Sequence, residues 1–206
     1  MKPLSGRKKG SFRIGAVIPA AGLSSRMGAF KPLLPYGDST VIESVVYAAL
    51  SYADSVAVVL GYRADEVENV LLERFGSRIR IVVNPDFRES DMLRSVQLGV
   101  SGLRDHDGFF LLPGDMPAVS PDVFEKLMEA FDGGREVIYP TYHGRRGHPP
   151  LIHASLIADI LSYHGDGGLK AVLAGRSSAE VEIADKGIVT DLDTPKDYAE
   201  MINGGL

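Results

Sequence analysis

Short apolar runs alternate with amphipathic segments over the first two thirds of the chain. Each run is brief and continuous, which is typical of a strand buried on both faces of a parallel sheet. The segments between them repeat their apolar residues at helical spacing. This alternation predicts an α/β fold with a three-layer, mostly parallel sheet built from right-handed crossovers. The predicted strands are residues 14–18, 56–60, 79–83 and the stretch 107–115, and the predicted helices are residues 41–50, 65–75, 92–100 and 121–131.

Local signals mark the ends of several helices. Thr40 and Glu43 have the spacing of a capping box, in which each side chain accepts a hydrogen bond from the other residue's backbone. Gly76 follows the second helix, where a C-terminal glycine is common. Thr194 and Pro195 supply an N-cap and a first-turn proline, which predict a final helix to residue 202.

The last third of the chain is less regular. Residues 137–142 and 150–152 flank a glycine- and arginine-rich turn at 144–147, which predicts a hairpin laid over the sheet. Two short helices and two short strands are then predicted. The helices lie near residues 155–162 and 168–173, and the strands at 181–184 and 187–192.

Composition narrows the class of protein. The chain has 206 residues, 45% of them hydrophobic, which is enough for one sizeable core. Its formal net charge of −5 is spread over charges of both signs, so no nucleic acid partner is expected. No apolar run approaches the ~18 residues of a membrane span, so no membrane partner is expected either. The absence of cysteine excludes a disulfide scaffold and a thiolate site, and it favours a cytoplasmic setting. We predict a disordered basic tail at residues 1–11 and one domain over residues 12–206.

The loop after the first predicted strand has the composition of a phosphate-binding loop. Its small residues let backbone N–H groups approach an anion, and Arg26 and Lys31 can neutralise the anion's oxygens. The loop is neither a Walker loop nor a dinucleotide fingerprint, because both of those spacings are missing.

Two later segments carry carboxylates. Asp115 follows the fourth predicted strand, where ligands bind in open α/β sheets, and it is suited to Mg²⁺ or to capping a turn. Asp191 and Asp193 would point to the same side of a strand, and either one could complete a metal site with Asp115. Asp193 has an alternative role as a helix cap.

Three polar residues are weaker candidates. His148, in a glycine-rich turn, is either structural or a donor to a phosphate. Asn84 and Ser95 flank the start of the third predicted helix, where they could contact a ribose or a base. Together with the loop cations and the carboxylates, these groups favour nucleotidyl transfer, because attack on an α-phosphorus requires amides, cations and a divalent metal around the triphosphate.

Six motifs in order resemble the MobA-like nucleotidyltransferases, and most of all their molybdenum cofactor cytidylyltransferase branch. The resemblance implies a Rossmann-like fold of the glycosyltransferase A type, a CTP or GTP donor, Mg²⁺, release of pyrophosphate and a phosphorylated acceptor such as molybdopterin. The motifs are Ala-Ala-Gly-Leu-Ser-Ser-Arg-Met-Gly at 20–28, Lys-Pro-Leu-Leu-Pro at 31–35, Gly-Asp-Met-Pro at 114–117, Arg-Gly-His-Pro at 146–149, Gly-Asp-Gly-Gly at 165–168 and Asp-Leu-Asp-Thr-Pro at 191–195.

The resemblance also assigns roles to individual residues. It implies that Arg26, Lys31 and Asp115 are catalytic, with Arg26 and Lys31 on the triphosphate and Asp115 on Mg²⁺. Asp193 would be the second metal ligand. The backbone of Ala20, Ala21 and Gly22 would contact base and phosphates. Apart from the resemblance, we predict nucleotide contacts for Asn84 and Ser95 and an acceptor contact for His148 from their positions in the sequence.

Ala21 bears on the choice of nucleotide. Guanylyl members of the family tend to have glycine at the position of Ala21, and the extra methyl narrows the room for a purine, so we expect CTP. Two other functions stay open. One is the same transfer to a sugar or alditol phosphate, and the other is a non-catalytic nucleotide-binding chaperone for a cofactor.

Overall fold

The structure is a computed structural model that describes residues 12–23 and 27–204. The tail predicted for residues 1–11 therefore lies outside the described residues. Among the described residues, every helix is too short or too polar to serve as a membrane span.

One mixed sheet of eight strands forms the centre of the described structure, with the order β10-β7-β9-β6-β1-β4-β5 and β8 paired to β7. Strand β1 pairs in parallel with β4 and with β6, and β4 pairs in parallel with β5. A separate two-stranded hairpin is formed by β2 and β3. The strands are β1 (Ile14–Ala20), β2 (Pro35–Tyr36), β3 (Ser39–Thr40), β4 (Ser55–Leu60), β5 (Ile79–Val83), β6 (Gly108–Leu111), β7 (Val137–Tyr142), β8 (Arg145–Arg146), β9 (Leu151–His153) and β10 (Ser178–Glu182).

Seven α-helices accompany these strands in the described residues. The predicted capping box is present at the first of them, where the Thr40 backbone N–H donates to Glu43 Oε2 at 2.7 Å. A second capping box, between Thr194 and Asp197, begins the last helix. The helices are α1 (Val41–Leu50), α2 (Ala64–Phe75), α3 (Met92–Val100), α4 (Pro121–Ala130), α5 (Ile157–Ser162), α6 (Gly168–Leu173) and α7 (Pro195–Ile202).

The helices cover both faces of the sheet. Ile18 and Val58 point to the face that carries α1, α2 and α4, and their neighbours Val17 and Val59 point to the face that carries α3, α5 and α6. All four side chains are fully buried, as expected for strands covered on both sides. The predicted three-layer, mostly parallel α/β fold is confirmed.

Two predictions for the last third were wrong. The segment after the turn at 144–147 is not laid over the sheet: β9 lies within it, antiparallel to both β6 and β7, and buries Leu151 and Ile152 completely. Residues 187–192 do not form a strand. The Asp185 side chain accepts from the Gly187 N–H, which turns the chain into a short 3-10 helix, Lys186–Val189. The strand predicted at 181–184 begins earlier, as β10.

Candidate active site

A cavity of about 250 Å³ opens at the carboxyl ends of the parallel strands. Its walls come from residues 19–22 at the end of β1, from Lys31 and Pro32, from the segment between Asn84 and Ser95, and from residues 113–115 after β6. The carboxyl ends of adjacent parallel strands are the usual ligand position in open α/β sheets.

The structure brings most of the predicted site residues together here. The residues among them that line the cavity are Ala20, Ala21, Gly22, Lys31, Asn84, Ser95 and Asp115. Asp193 does not line it but contacts Lys31. Arg26 lies outside the described residues.

Lys31 lies between two carboxylates. Its Nζ donates to Asp193 Oδ1 at 2.8 Å and to Asp115 Oδ2 at 3.3 Å, and only 11% of the lysine side chain is exposed. The lysine begins a 3-10 turn, Lys31–Leu33, whose second residue is Pro32. The rigid ring of Pro32 helps to fix the backbone at this point. A cation is therefore held at the edge of the cavity by charges from two distant parts of the chain.

Asp193 reaches this position without a strand. The Leu192 N–H donates to the Asp115 carbonyl at 3.1 Å, which joins the segment before α7 to the loop after β6. The expected alternation of Asp191 and Asp193 along a strand was therefore wrong. The alternative role of Asp193 as a helix cap is also not observed, because Thr194 caps α7.

Burial raises the pKa of Asp115, and the charge of Asp191 acts in the same direction. The adjacent Lys31 ammonium opposes this rise through its charge and its hydrogen bond. A desolvated carboxylate gains more from a nearby cation than an exposed one does. The charged form of Asp115 is thus stabilised by the neighbouring Lys31 ammonium.

The structure supports a cation site at Asp115 and Asp193 in one respect. Both carboxylates converge on a single positive charge, and oxygen donors of this kind suit Mg²⁺. Within residues 12–23 and 27–204, no group of three or more His, Cys, Asp or Glu side chains is arranged to hold a metal. A magnesium ion here would therefore take its other ligands from the substrate or from water, as Mg²⁺ commonly does.

Asn84 is almost completely buried, with 1% of its surface exposed. Its amide donates to Ser90 Oγ at 3.0 Å and to Ser95 Oγ at 3.2 Å, and its Oδ1 accepts from the Asp86 N–H at 3.0 Å. The side chain thus fixes the turn between β5 and α3, which forms one wall of the cavity. Sequence reasoning assigned Asn84 to the nucleotide and overlooked this supporting role.

Further lining residues were missed, among them Phe87, Asp91 and Met92. Asp91 is the N-cap of α3, and its side chain accepts from the Arg94 N–H. An Asp directly before the predicted start of a helix is a recognisable N-cap, so this signal was available in the sequence.

His148 lies beside this site rather than in the cavity wall. Its Nδ1 donates to the Leu111 carbonyl at 3.4 Å, and its backbone N–H donates to Ile188. Burial lowers the pKa of His148, and this hydrogen bond and the charges of Asp115 and Asp191 oppose the change.

Close backbone packing at Gly114 fixes the distance between two walls of the cavity, the loop after β6 and the end of β1. A Cβ at Gly114 would lie 2.8 Å from the Ala20 Cβ, 3.1 Å from Ile42 Cδ1 and 3.2 Å from the Pro19 carbonyl oxygen. Contacts this short do not occur without movement of the neighbours. Only glycine at 114 lets the loop that carries Asp115 lie against the end of β1.

Comparisons with known proteins agree with this geometry. A MobA-like NTP transferase domain matches residues 16–181. The molybdenum cofactor cytidylyltransferase of Escherichia coli K12 is 33% identical over 187 residues, which cover 90% of this chain and 93% of that protein. A probable molybdenum cofactor guanylyltransferase of Bacillus mycoides is 25% identical over 145 residues, or 69% of this chain and 68% of the relative.

A solved structure is also similar to this chain over nearly its whole length. A nucleotidyl transferase from Methanothermobacter superposes with a TM-score of 0.78 at 30% identity, covering 93% of this chain and 97% of the other. The fold, the family match and the full-length relative confirm the resemblance noted in the sequence. The chain belongs to the MobA-like NTP transferase family and is a nucleotidyltransferase.

Proposed function

We propose that this enzyme transfers CMP from CTP to the phosphate of a molybdopterin-type acceptor, with Mg²⁺ as cofactor, and releases pyrophosphate. The observation that carries the proposal is the position of Lys31 between Asp115 and Asp193, beside the backbone of residues 20–22. This arrangement supplies the amides, the cation and the carboxylates that an α-phosphoryl reaction requires.

The chain's own groups have separate tasks in this reaction. The backbone of residues 20–22 orients the phosphates, and Lys31 neutralises their oxygens. Asp115 and Asp193 would hold Mg²⁺, which when bound supplies Lewis-acid stabilisation of the charged phosphoryl oxygens. An oxygen of the acceptor phosphate then bonds to the α-phosphorus, and the bond from that phosphorus to its bridging oxygen breaks. Pyrophosphate leaves with the bonding electrons.

Two observations favour CTP over GTP. Ala21 lines the cavity, and it is packed closely from behind, because a Cβ at Gly61 would lie 2.6 Å from the Phe87 Cβ and 2.9 Å from the Ala21 Cβ. Ala21 therefore has little room to move away and accommodate a larger purine base. The cytidylyltransferase relative is also more similar to this chain than the guanylyltransferase relative is, at 33% against 25% identity.

The test is release of pyrophosphate from CTP or GTP, with and without Mg²⁺, over molybdopterin and a panel of sugar and alditol phosphates. We expect release with CTP, Mg²⁺ and molybdopterin, and a loss of about 10²–10³-fold in Asp115→Ala and Lys31→Ala. Asp38→Ala and Lys126→Ala remove the same charges from exposed positions and serve as controls.

Three results would contradict the proposal. Full activity in both site variants would show that Asp115 and Lys31 take no part in the reaction. Release of pyrophosphate only with a sugar or alditol phosphate would show that the acceptor is that phosphate and not molybdopterin. Tight binding of CTP with no turnover over any acceptor would favour a nucleotide-binding chaperone.

A further inference from the structure

We propose that Asp185 is a positioning residue for the transfer reaction, because its carboxylate holds the segment 185–192 against the loop that carries Asp115. This Asp115 loop comprises residues 113–120, between β6 and α4. The inference rests on the proposed function, since it takes Asp115 as a residue of the reacting centre. Asp185 itself is not among the residues that line the cavity, so it would act on the reaction through the backbone.

The Asp185 carboxylate is shared between two distant parts of the chain. Its Oδ1 accepts from the Gly187 N–H at 2.7 Å, at the start of the 3-10 helix Lys186–Val189. Its Oδ2 accepts from the Ser120 N–H at 2.9 Å, at the far end of the Asp115 loop. A carboxylate suits this position because it has two oxygens and both can accept. One side chain therefore fixes the local turn and also joins it to the loop.

Two backbone contacts continue this junction toward Asp115. A Cβ at Gly187 would collide with the Ala118 carbonyl oxygen, so the two backbones approach each other where no side chain fits. At the other end of the segment, the Leu192 N–H donates to the Asp115 carbonyl at 3.1 Å. The segment 185–192 thus follows the Asp115 loop from one end to the other.

The same segment contacts the turn that carries His148. The His148 N–H donates to the Ile188 carbonyl at 2.8 Å, and a Cβ at Gly147 would collide with that carbonyl oxygen. Ile188 is completely buried, which leaves the segment little freedom at this point. A displacement of the segment would therefore change the position of His148 relative to the Asp115 loop.

Loss of the Asp185 carboxylate should affect the reaction more than the binding of the nucleotide. The Ser120 N–H would lose this acceptor, and the Asp115 loop could then move away from the segment. The cavity walls at residues 20–22 and 84–95 belong to other parts of the chain and should keep their positions. When a group that acts in the transition state is displaced, kcat falls while KM changes little.

The experiment compares wild type with Asp185→Ala and Asp185→Asn in two measurements. The first is the steady-state release of pyrophosphate with CTP, Mg²⁺ and molybdopterin. Asp185→Ala should lower kcat by about 10²-fold, as expected for a shift of about 1 Å at a reacting centre, with a nearly unchanged KM for CTP. Asp185→Asn keeps one acceptor oxygen and should give an intermediate kcat.

The second measurement is amide hydrogen exchange of the protein without nucleotide. In both variants exchange should become faster in residues 113–120 and 186–192, because these segments lose the bond that joins them. Exchange in residues 84–95, on the other wall of the cavity, should stay as in wild type.

Asp132→Ala is the matched control. The Asp132 Oδ1 accepts from the Gly134 N–H at 2.8 Å, which is the same kind of bond that Asp185 makes with Gly187, but at an exposed position. This variant should leave kcat and the exchange of the three segments unchanged.

A merely structural role for Asp185 would lower Tm and leave the kcat of the folded enzyme unchanged. The proposal is overturned if the folded variants keep the wild-type kcat, or if exchange in residues 113–120 does not change. If Asp185→Ala does not fold, Asp185→Asn decides, since its side chain has nearly the same size. Wild type without turnover would contradict the proposed function, whereas the exchange measurement needs neither nucleotide nor acceptor and would still test the junction.

Discussion

The backbone N–H of Leu192 donates a hydrogen bond to the carbonyl oxygen of Asp115 at 3.1 Å. This bond joins the loop after β6 to the segment before α7, which are far apart in the sequence. As a consequence, Asp193 and Asp115 lie on either side of the Lys31 ammonium. The two carboxylates and the lysine therefore form one charged group whose geometry depends on the backbone around it.

Replacement of Gly114 by alanine should lower activity because it displaces the walls of the active-site cavity. The added Cβ would lie 2.8 Å from the Ala20 Cβ and would push the nucleotide loop away from Asp115. We expect nucleotidyl transfer to fall by about 10²-fold, since displacements of about 1 Å at a reacting centre have effects of this size.

The kinetic constants of Gly114→Ala should be compared with those of Gly134→Ala. In that control the nearest atom to the new Cβ is the end of the exposed Asp132 side chain, at 3.2 Å, which can move aside. Equal activity in the two variants would mean that the contact between Gly114 and Ala20 does not position the site.

Replacement of Asn84 by alanine should loosen the wall between β5 and α3. The change removes two hydrogen bonds to serine hydroxyls and one from the Asp86 N–H, all at a buried position. We expect the free energy of unfolding to fall by about 1–3 kcal/mol, because buried polar groups lose their partners. The KM for the nucleotide should rise as well.

Chemical denaturation and steady-state kinetics would measure both effects of Asn84→Ala. Asn203→Ala removes an exposed hydrogen bond at the end of α7 and should change neither quantity appreciably. If Asn84→Ala kept the wild-type stability and KM, the network around Asn84 would not support the cavity.

Replacement of Ala21 by glycine should relax the choice of base. Loss of the methyl group opens the cavity wall next to Gly61 and Phe87, so GTP should be used better relative to CTP. One buried methyl changes discrimination by about 10-fold. The measurement is kcat/KM for CTP and GTP in competition, and an unchanged ratio would show that Ala21 does not act on the base.

Glu182 gives the protein a pH-dependent contribution to stability. Thr141 Oγ1 and the His143 N–H each donate to its carboxylate at 2.7 Å, and these bonds hold the pKa of Glu182 below its usual value. The contribution is therefore complete above the unfolded pKa of about 4.3 and is lost as the pH falls through the lower folded pKa.

We accordingly expect Glu182→Gln to lower Tm at pH 7 and to differ progressively less from wild type as the pH falls below about 4.3. Thermal unfolding across this range measures the difference. Glu129→Gln, at an exposed position on α4, is the control. A difference that stayed constant with pH would contradict a role for the charged form.

The sequence was sufficient to predict four strands of the central sheet and four helices in the first two thirds of the chain, but it did not predict the short hairpin of β2 and β3. The four predicted strands are mostly apolar runs, and α1 has a clear start signal at Thr40, whereas α2 begins after Arg63 without a side-chain cap. The segment at 187–192 was misassigned because its apolar residues suggest a strand, whereas the conformation is decided by the hydrogen bond from the Gly187 N–H to Asp185.

Most residues of the site could be predicted from the sequence, but their arrangement in space could not. Local patterns identified Lys31 and Asp115 as charged groups next to strand ends. The contact of Asp193 with Lys31 depends on a backbone hydrogen bond between distant segments, and no periodicity in the sequence encodes it. The same holds for Asn84, whose partners are fixed by the folding of the turn that follows it.

A crystal structure of the enzyme with CTP and Mg²⁺ tests the central claim most directly. We expect the nucleotide in the cavity beside residues 20–22, Lys31 on the triphosphate, and Mg²⁺ bound by Asp115 and Asp193. The account would be contradicted if CTP bound elsewhere, or if it occupied the cavity while Lys31 remained between the two carboxylates and the metal bound without them.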